Sequence, residues 1–148
     1  MTSKARASKA MSRYIRLRDA LDYCQEHGID LSQFSRPEDI IGACVTCGAV
    51  KSWIRMDCGH YKSRGSGGRS GAYFLESNVG LQCKRCNAFE GGRPKEFAEH
   101  IKTKYGQDEL DYIEKKHYLP TDMRAAAMEA MAIYFNSKYK ELTKKNKL

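Results

Sequence analysis

The sequence predicts an α+β fold in which a small metal-pinned core of short strands and a helix sits between N- and C-terminal helices. Three observations predict it. Two Cys-x-x-Cys pairs, Cys44/Cys47 and Cys83/Cys86, stand in the middle of the chain. The strand-like runs fall between those pairs, and helical periodicity dominates on either side. At 148 residues the chain has the length of one ordinary domain. Residues 1–43 read as a basic arm and N-terminal helix, 44–118 as the metal-bound core, and 119–148 as a C-terminal helix with a basic tail.

Residues 1–13, MTSKARASKAMSR, are basic and rich in small side chains, and no apolar segment of a secretion signal follows them. They read as a disordered arm. From about Ala10 to His27, Tyr14, Leu17, Leu21 and Cys24 recur at helical spacing, and Gly28 supplies a C-terminal cap. Ser35–Asp39 reads as a turn. Ser52–Asp57 reads as a strand approaching Cys58-Gly59-His60-Tyr61, and Lys62–Gly71 as a flexible basic loop. Ala72–Leu75 reads as a second short strand, after which Ser77-Asn78 turns the chain into Val79–Gln82 and the second cysteine pair. Phe97, Ile101 and Tyr105 mark a helix, and Leu110–Lys116 another. Pro120 precedes an Ala- and Met-rich helix over Asp122–Leu142, whose Met128, Met131, Tyr134 and Phe135 would face the core or a dimer mate.

Six cysteines without a secretion signal argue against a disulfide framework. Two residues between thiolates let a tight turn aim both sulfurs at one ion, and two such turns complete the tetrahedral shell that suits structural Zn²⁺. Cys24 reads as a small core residue. Cys58 reads as core, a spare ligand or a neighbour of the functional site. The formal charge of +8 is carried mostly by residues 44–148 and is compatible with phosphate backbones as partners. No apolar run is long enough to span a bilayer, so a membrane protein is not expected.

Residues with a different chemistry are threaded around the pairs. His60 follows a strand, Asn78 precedes the second pair, and Asn87 follows it directly at an expected helix start. An imidazole near neutrality can take a proton from water, and a carboxamide or carboxylate oxygen can hold a divalent ion at a phosphate. The middle Asn would brace the loop. This His-Asn-Asn order resembles that of one-metal nuclease sites of the HNH kind, a resemblance that implies a zinc-stapled ββα-metal (His-Me finger) core.

The runs CGHYKSRG, NVGLQCKRCN and KYGQDELDYIE resemble the NinG/Rap recombination proteins of lambdoid phages over roughly Cys44–Lys116. CKRCNAFEG is also similar to a segment of the endonuclease VII-type junction resolvases. The resemblance implies a metal-dependent, structure-specific endonuclease acting on branched DNA such as Holliday junctions or D-loops. It further implies a catalytic Mg²⁺ or Mn²⁺, a homodimer, and a place in the host bacterial cytoplasm. By position His60 would be the general base, Asn87 and Glu90 ligands of the catalytic ion, and Asn78 the bracing residue. Sites of the HNH and endonuclease VII kind usually carry an Asp or His just before the base, where this chain has Gly59; either Asp57 reaches the ion in its place, or Asn87, Glu90 and water hold it.

Lys62, Arg64 and Arg69 in the basic loop, with Lys84 and Arg85 inside the second cysteine pair, are the expected DNA contacts. Tyr61 would stack on a base or pack under the core, and His100 and His117 read as ordinary side chains. The alternative is a non-catalytic zinc-ribbon protein that binds branched or single-stranded DNA as a recombination accessory. An adaptor built on the C-terminal helix is a third reading.

Overall fold

Ala- and Met-rich stretches at the two ends of the sequence form one helix pair, and the core hangs from it. The computed structural model describes residues 1–65 and 68–148. Helix α1 spans Ser3–Glu26, its N-terminus capped by the Thr2 hydroxyl, which accepts from the Ala5 amide. The expected disordered arm is therefore ordered helix: Ala7, Ala10 and Met11 are buried against Met128, Ala132 and Phe135 of the last helix, α4 (Ala125–Lys145). Those small apolar residues are too widely spaced among Lys and Arg to stand out in the sequence. Arg6 meets Glu129 and Arg13 donates to Asn136, so α1 and α4 run parallel. Met128 and Phe135 thus pack on the core of their own chain.

Between them lie β1 (Ile41–Ala43) and β2 (Val50–Ser52), an antiparallel pair whose connecting loop carries Cys44 and Cys47. The expected strand over Ser52–Asp57 is broken by a 3-10 turn at Trp53–Arg55, because the Trp53 indole reaches back to donate to the Pro37 carbonyl. Strand β3 (Asp57–His60) then pairs antiparallel with β6 (Val79–Gln82), in the register Asp57 with Gln82 and His60 with Val79. Between those two, β4 (Arg64–Gly65) and β5 (Gly68–Arg69) form a small hairpin within the expected basic loop, whose centre, Ser66 and Gly67, lies outside the described residues. Ala72–Leu75 is not a strand. It turns, with the Tyr73 amide bonding the Ser70 carbonyl and the Leu75 amide that of Ala72. Arg85–Phe89 is a single π-type turn, not the start of a long helix. Helices α2 (Pro94–Tyr105) and α3 (Gln107–His117) follow, joined at Gly106 with φ +93°.

The central apolar cluster sets Leu17, Leu21 and Cys24 of α1 against Ile40, Trp53, Met56 and Leu81, next to the cysteine pairs. Phe97, Ile101, Ile113 and Ala72 form a separate cluster under α2 and α3. No described helix is long and apolar enough to cross a membrane.

A buried carboxylate ties α1 to β6. Asp19 accepts from the Leu81 amide at 2.8 Å and from the Arg18 guanidinium at 2.9 Å, with Lys104 at 3.6 Å. Burial would raise its pKa, but Arg18, Lys104 and the Leu81 amide overcome this and hold it below the usual carboxylate range. Arg18 in turn donates to the carbonyls of Glu76 and Val79. Asp19→Ala strands the Arg18 charge and the Leu81 amide and is expected to cost about 3–5 kcal/mol, read as a lower urea midpoint at unchanged slope.

Candidate functional site

The β1–β2 loop and the β6 end deliver the four cysteines to one point. The sulfurs of Cys44, Cys47, Cys83 and Cys86 all lie within 4.8 Å of one another, and Cys47 and Cys83 are 3.7 Å apart. Zn–S bonds of about 2.3 Å in a tetrahedron put sulfurs about 3.8 Å apart, so this set can hold one such ion. Burial disfavours the Cys44 thiolate, but the Thr46 hydroxyl and the backbone of Cys83, Cys47 and Thr46 outweigh it and bring the thiol down to about 6. Burial and the neighbouring thiols hold Cys83 up at about 12. Cys24 and Cys58 lie outside this cluster: Cys24 donates to the Ile41 carbonyl, and Cys58 packs beside the α1–α4 cluster with burial pushing its thiol to about 12.

His60 ends β3 and stacks on Tyr73, with ring centroids 4.1 Å apart. Burial drives its imidazole down to about 4, so the ring is neutral at physiological pH, and its Nε2 has no hydrogen-bond partner among the described residues. Asn78 is fully buried just beyond. Its Oδ1 accepts from the Lys62 amide, while Nδ2 donates to the carbonyls of Lys62 and Ala72, all at 2.9 Å. The chain leaving His60 is thereby clamped to the turn that supplies Tyr73.

On the other side of the strand, Asp57 receives Asn87 Nδ2 at 3.0 Å and the Lys84 ammonium at 2.7 Å. Burial works against ionisation of Asp57, but Lys84, Asn87 and Arg16 keep its carboxyl below the usual range. Because side chains alternate along a strand, Asp57 and Gly59 leave one face of β3 while Cys58 and His60 leave the other. The structure therefore joins Asp57, Lys84 and Asn87 in one cluster and puts His60 with Tyr73 in another. Glu90 turns elsewhere, toward Arg85 at 3.5 Å and Arg93 at 3.7 Å, with the Cys86 sulfur at 3.9 Å.

Gln82, which the sequence reading passed over, explains the glycine before His60. A Cβ at position 59 would stand 2.1 Å from Gln82 Oε1 and 2.9 Å from its Cβ and Cδ. The Gln82 amide donates to Thr46 in the first cysteine loop and to the Gly92 carbonyl beyond the second, tying both loops to β6. A polar residue inside the run Val-Gly-Leu-Gln-Cys, directly before a metal ligand, was the available signal.

Of the expected DNA contacts, Lys84 and Arg85 are exposed but paired with Asp57 and Glu90. Lys62 pairs with Glu114 at 3.4 Å, Arg64 is exposed, and Arg69 lies 4.4 Å over the Tyr73 ring. Tyr61 packs near Phe97 and its hydroxyl donates to Glu114, so it belongs to the core under α2. His117 bonds the Ser70 hydroxyl at 2.7 Å, and His100 meets the Phe97 ring edge-on.

Two measurements follow. Gly59→Ala should lose about 1–3 kcal/mol by overpacking, and most of that loss should vanish when the substitution is made in a Gln82→Ala background, a coupling read by a double-mutant cycle. His60 has a folded pKa near 4 against about 6.5 unfolded. Its contribution is complete above pH 6.5 and is lost as pH falls toward 4, about 3 kcal/mol in all. In urea titrations across that window the His60→Gln protein should show a correspondingly flatter pH dependence.

A profile of the family described as Bacteriophage Lambda NinG protein matches residues 2–146. The protein named Protein ninG from Escherichia phage lambda is 29% identical over 87 residues, 59% of this chain and 41% of its own length. The chain thus matches about two fifths of that relative. No solved structure matches the fold. With the profile spanning nearly every residue from α1 to α4, the chain belongs to the NinG family.

Proposed function

We propose that this NinG-family chain is a metal-dependent endonuclease that hydrolyses phosphodiesters in branched DNA, acting as a homodimer in the cytoplasm of the bacterial host. The observation that carries the reading is the contact of Asp57 with Asn87 beside the cysteine cluster, on the same four-residue strand as a neutral, braced His60 three positions on. In this reading Cys44, Cys47, Cys83 and Cys86 hold a structural Zn²⁺ that does no chemistry and fixes β6 and the following turn against the β1–β2 loop.

The donor set at Asp57 and Asn87 is oxygen-based and fits Mg²⁺ or Mn²⁺, with the exposed Lys84 ammonium now standing in for a cation. Asn87 would present Oδ1 after its carboxamide turns over. When bound, the ion supplies charge to stabilise the leaving oxygen. His60 Nε2 accepts the proton of the attacking water, a role open to it because the ring is neutral. Asn78 keeps the ring's strand end and the Tyr73 turn in fixed relation. Arg64, Lys62 and Arg69 hold the DNA backbone, and Glu90 orders Arg85 and Arg93 around Cys86.

A second reading, a DNA-binding recombination accessory without catalysis, is favoured by the burial of His60 Nε2 and by the placement of His60 and Asp57 on opposite faces of β3. Cleavage of a labelled four-way junction and a matched duplex in Mg²⁺ or Mn²⁺ separates the two. Cutting should fall at least about 100-fold in His60→Ala while zinc content and junction binding persist. Lys84→Met should lower the metal concentration needed for half-maximal cutting. Junction binding without cutting in either metal ion would leave the accessory.

A further inference from the structure

The first 18 residues hold six basic side chains and no acidic one. The structure makes them a helix, and its geometry sorts them. Arg6, Lys9, Arg13 and Arg16 recur at spacings of three and four, so they fall on one face of α1. The intervening Ala7, Ala10, Met11, Tyr14 and Ile15 are buried. At 1.5 Å per residue the stripe is about 15 Å long. It borders a shallow groove of about 400 Å³, lined by Arg6, Lys9, Arg13 and Arg16 together with Ala132 and Asn136 of α4.

Helix electrostatics do not explain the stripe. Cations are disfavoured near a helix N-terminus, and the first turn of α1 has no acidic residue to offset them. Internal pairing does not absorb it either. Arg6 has an exposed contact with Glu129 at 3.7 Å and donates to the exposed Met1 carbonyl at 2.7 Å, Arg13 donates to the neutral Asn136 and lies over Tyr139, and Lys9 has no ion pair or hydrogen bond among the described residues. The stripe has a definite end. Arg16 sinks into the fold and donates to the carbonyls of Trp53 and Met56, the latter adjoining Asp57. The basic face of α1 therefore runs from the N-terminus to the strand that carries the Asp57–Asn87 contact.

We infer that the groove along α1 is a track for the phosphate backbone of a DNA arm, delivering it toward Asp57 and Asn87. This rests on the proposed DNA-processing reading and adds to it a second contact region, separate from the β4–β5 hairpin. A backbone track needs positive charge on an accessible face, and α1 offers both.

The test is binding of a fluorescent four-way junction as a function of salt, without added divalent ion, to the full chain and three variants. The first, R6Q/K9Q/R13Q, keeps good helix formers and leaves Arg16 in place. The second is K9Q alone, which removes no internal contact. The third, K144Q/K145Q/K147Q, removes the same charge at the far end of α4. The stripe variant should bind about 10–100-fold more weakly at low salt, with a log–log salt slope shallower by about 2–3, and K9Q by about 1. The tail variant should keep the parental slope. Equal losses in the stripe and tail variants would overturn the track, since only total charge would matter. Unchanged binding by R6Q/K9Q/R13Q and K9Q would overturn it while leaving the DNA partner intact. Failure of the parental protein to bind would remove the DNA partner and the track together.

Discussion

Bringing four sulfurs from two distant chain segments within 4.8 Å of one another leaves those segments almost no freedom of relative placement. One segment is the loop between β1 and β2, and the other is the end of β6 running into the Arg85–Phe89 turn. Every residue of chemical interest is reached from one of these anchors. Asn87 is the residue after Cys86, Gln82 the one before Cys83, and β3 is set by its pairing to β6. The short strands are too small to define a sheet by pairing alone, so the sulfur cluster and the Asp19 bridge from α1 to Leu81 do that work together.

This dependence accounts for the unusual residue choice around His60. With the cysteine loops fixed, the Gln82 side chain can reach both of them, but only by lying across the backbone of Gly59. A side chain before the histidine and the cross-tie from Gln82 exclude each other. Asp57 stands two residues back on the same strand face, opposite Gln82 in the register. The cross-tie and the Asp57 carboxylate share that face through the alternation of side chains along β3.

Much of the fold was legible because its signals are local. Cys-x-x-Cys spacing brings two sulfurs to one turn whatever surrounds it, and the stripes of Tyr14, Leu17, Leu21 and Phe97, Ile101, Tyr105 report helices. Asn78, expected from the sequence to brace the loop, makes three hydrogen bonds, to the Lys62 amide and to the carbonyls of Lys62 and Ala72. What stayed hidden depended on distant partners. The start of α1 looked like a disordered arm because Ala7, Ala10 and Met11 gain their burial only from α4. Ala72–Leu75 looked like a strand because it is apolar, yet it is held as a turn by Ser70 and Asn78. The separation of His60 from Asp57 across the strand followed from register, and Gln82 gains its meaning only beside Gly59.

The parallel pairing of α1 with α4 has a consequence for biosynthesis. Partners across this helix pair lie 123 positions apart in the chain, as Arg13 and Asn136 do. On a ribosome, α1 emerges before α4, and its Ala7, Ala10 and Met11 find no cover until α4 has been translated and has cleared the exit tunnel. The cysteine cluster, complete once Cys86 has emerged, is by contrast available early. The four sulfurs can therefore gather before the helix pair closes, and the first half of α1 waits for α4 while its second half already packs on Ile40, Trp53, Met56 and Leu81.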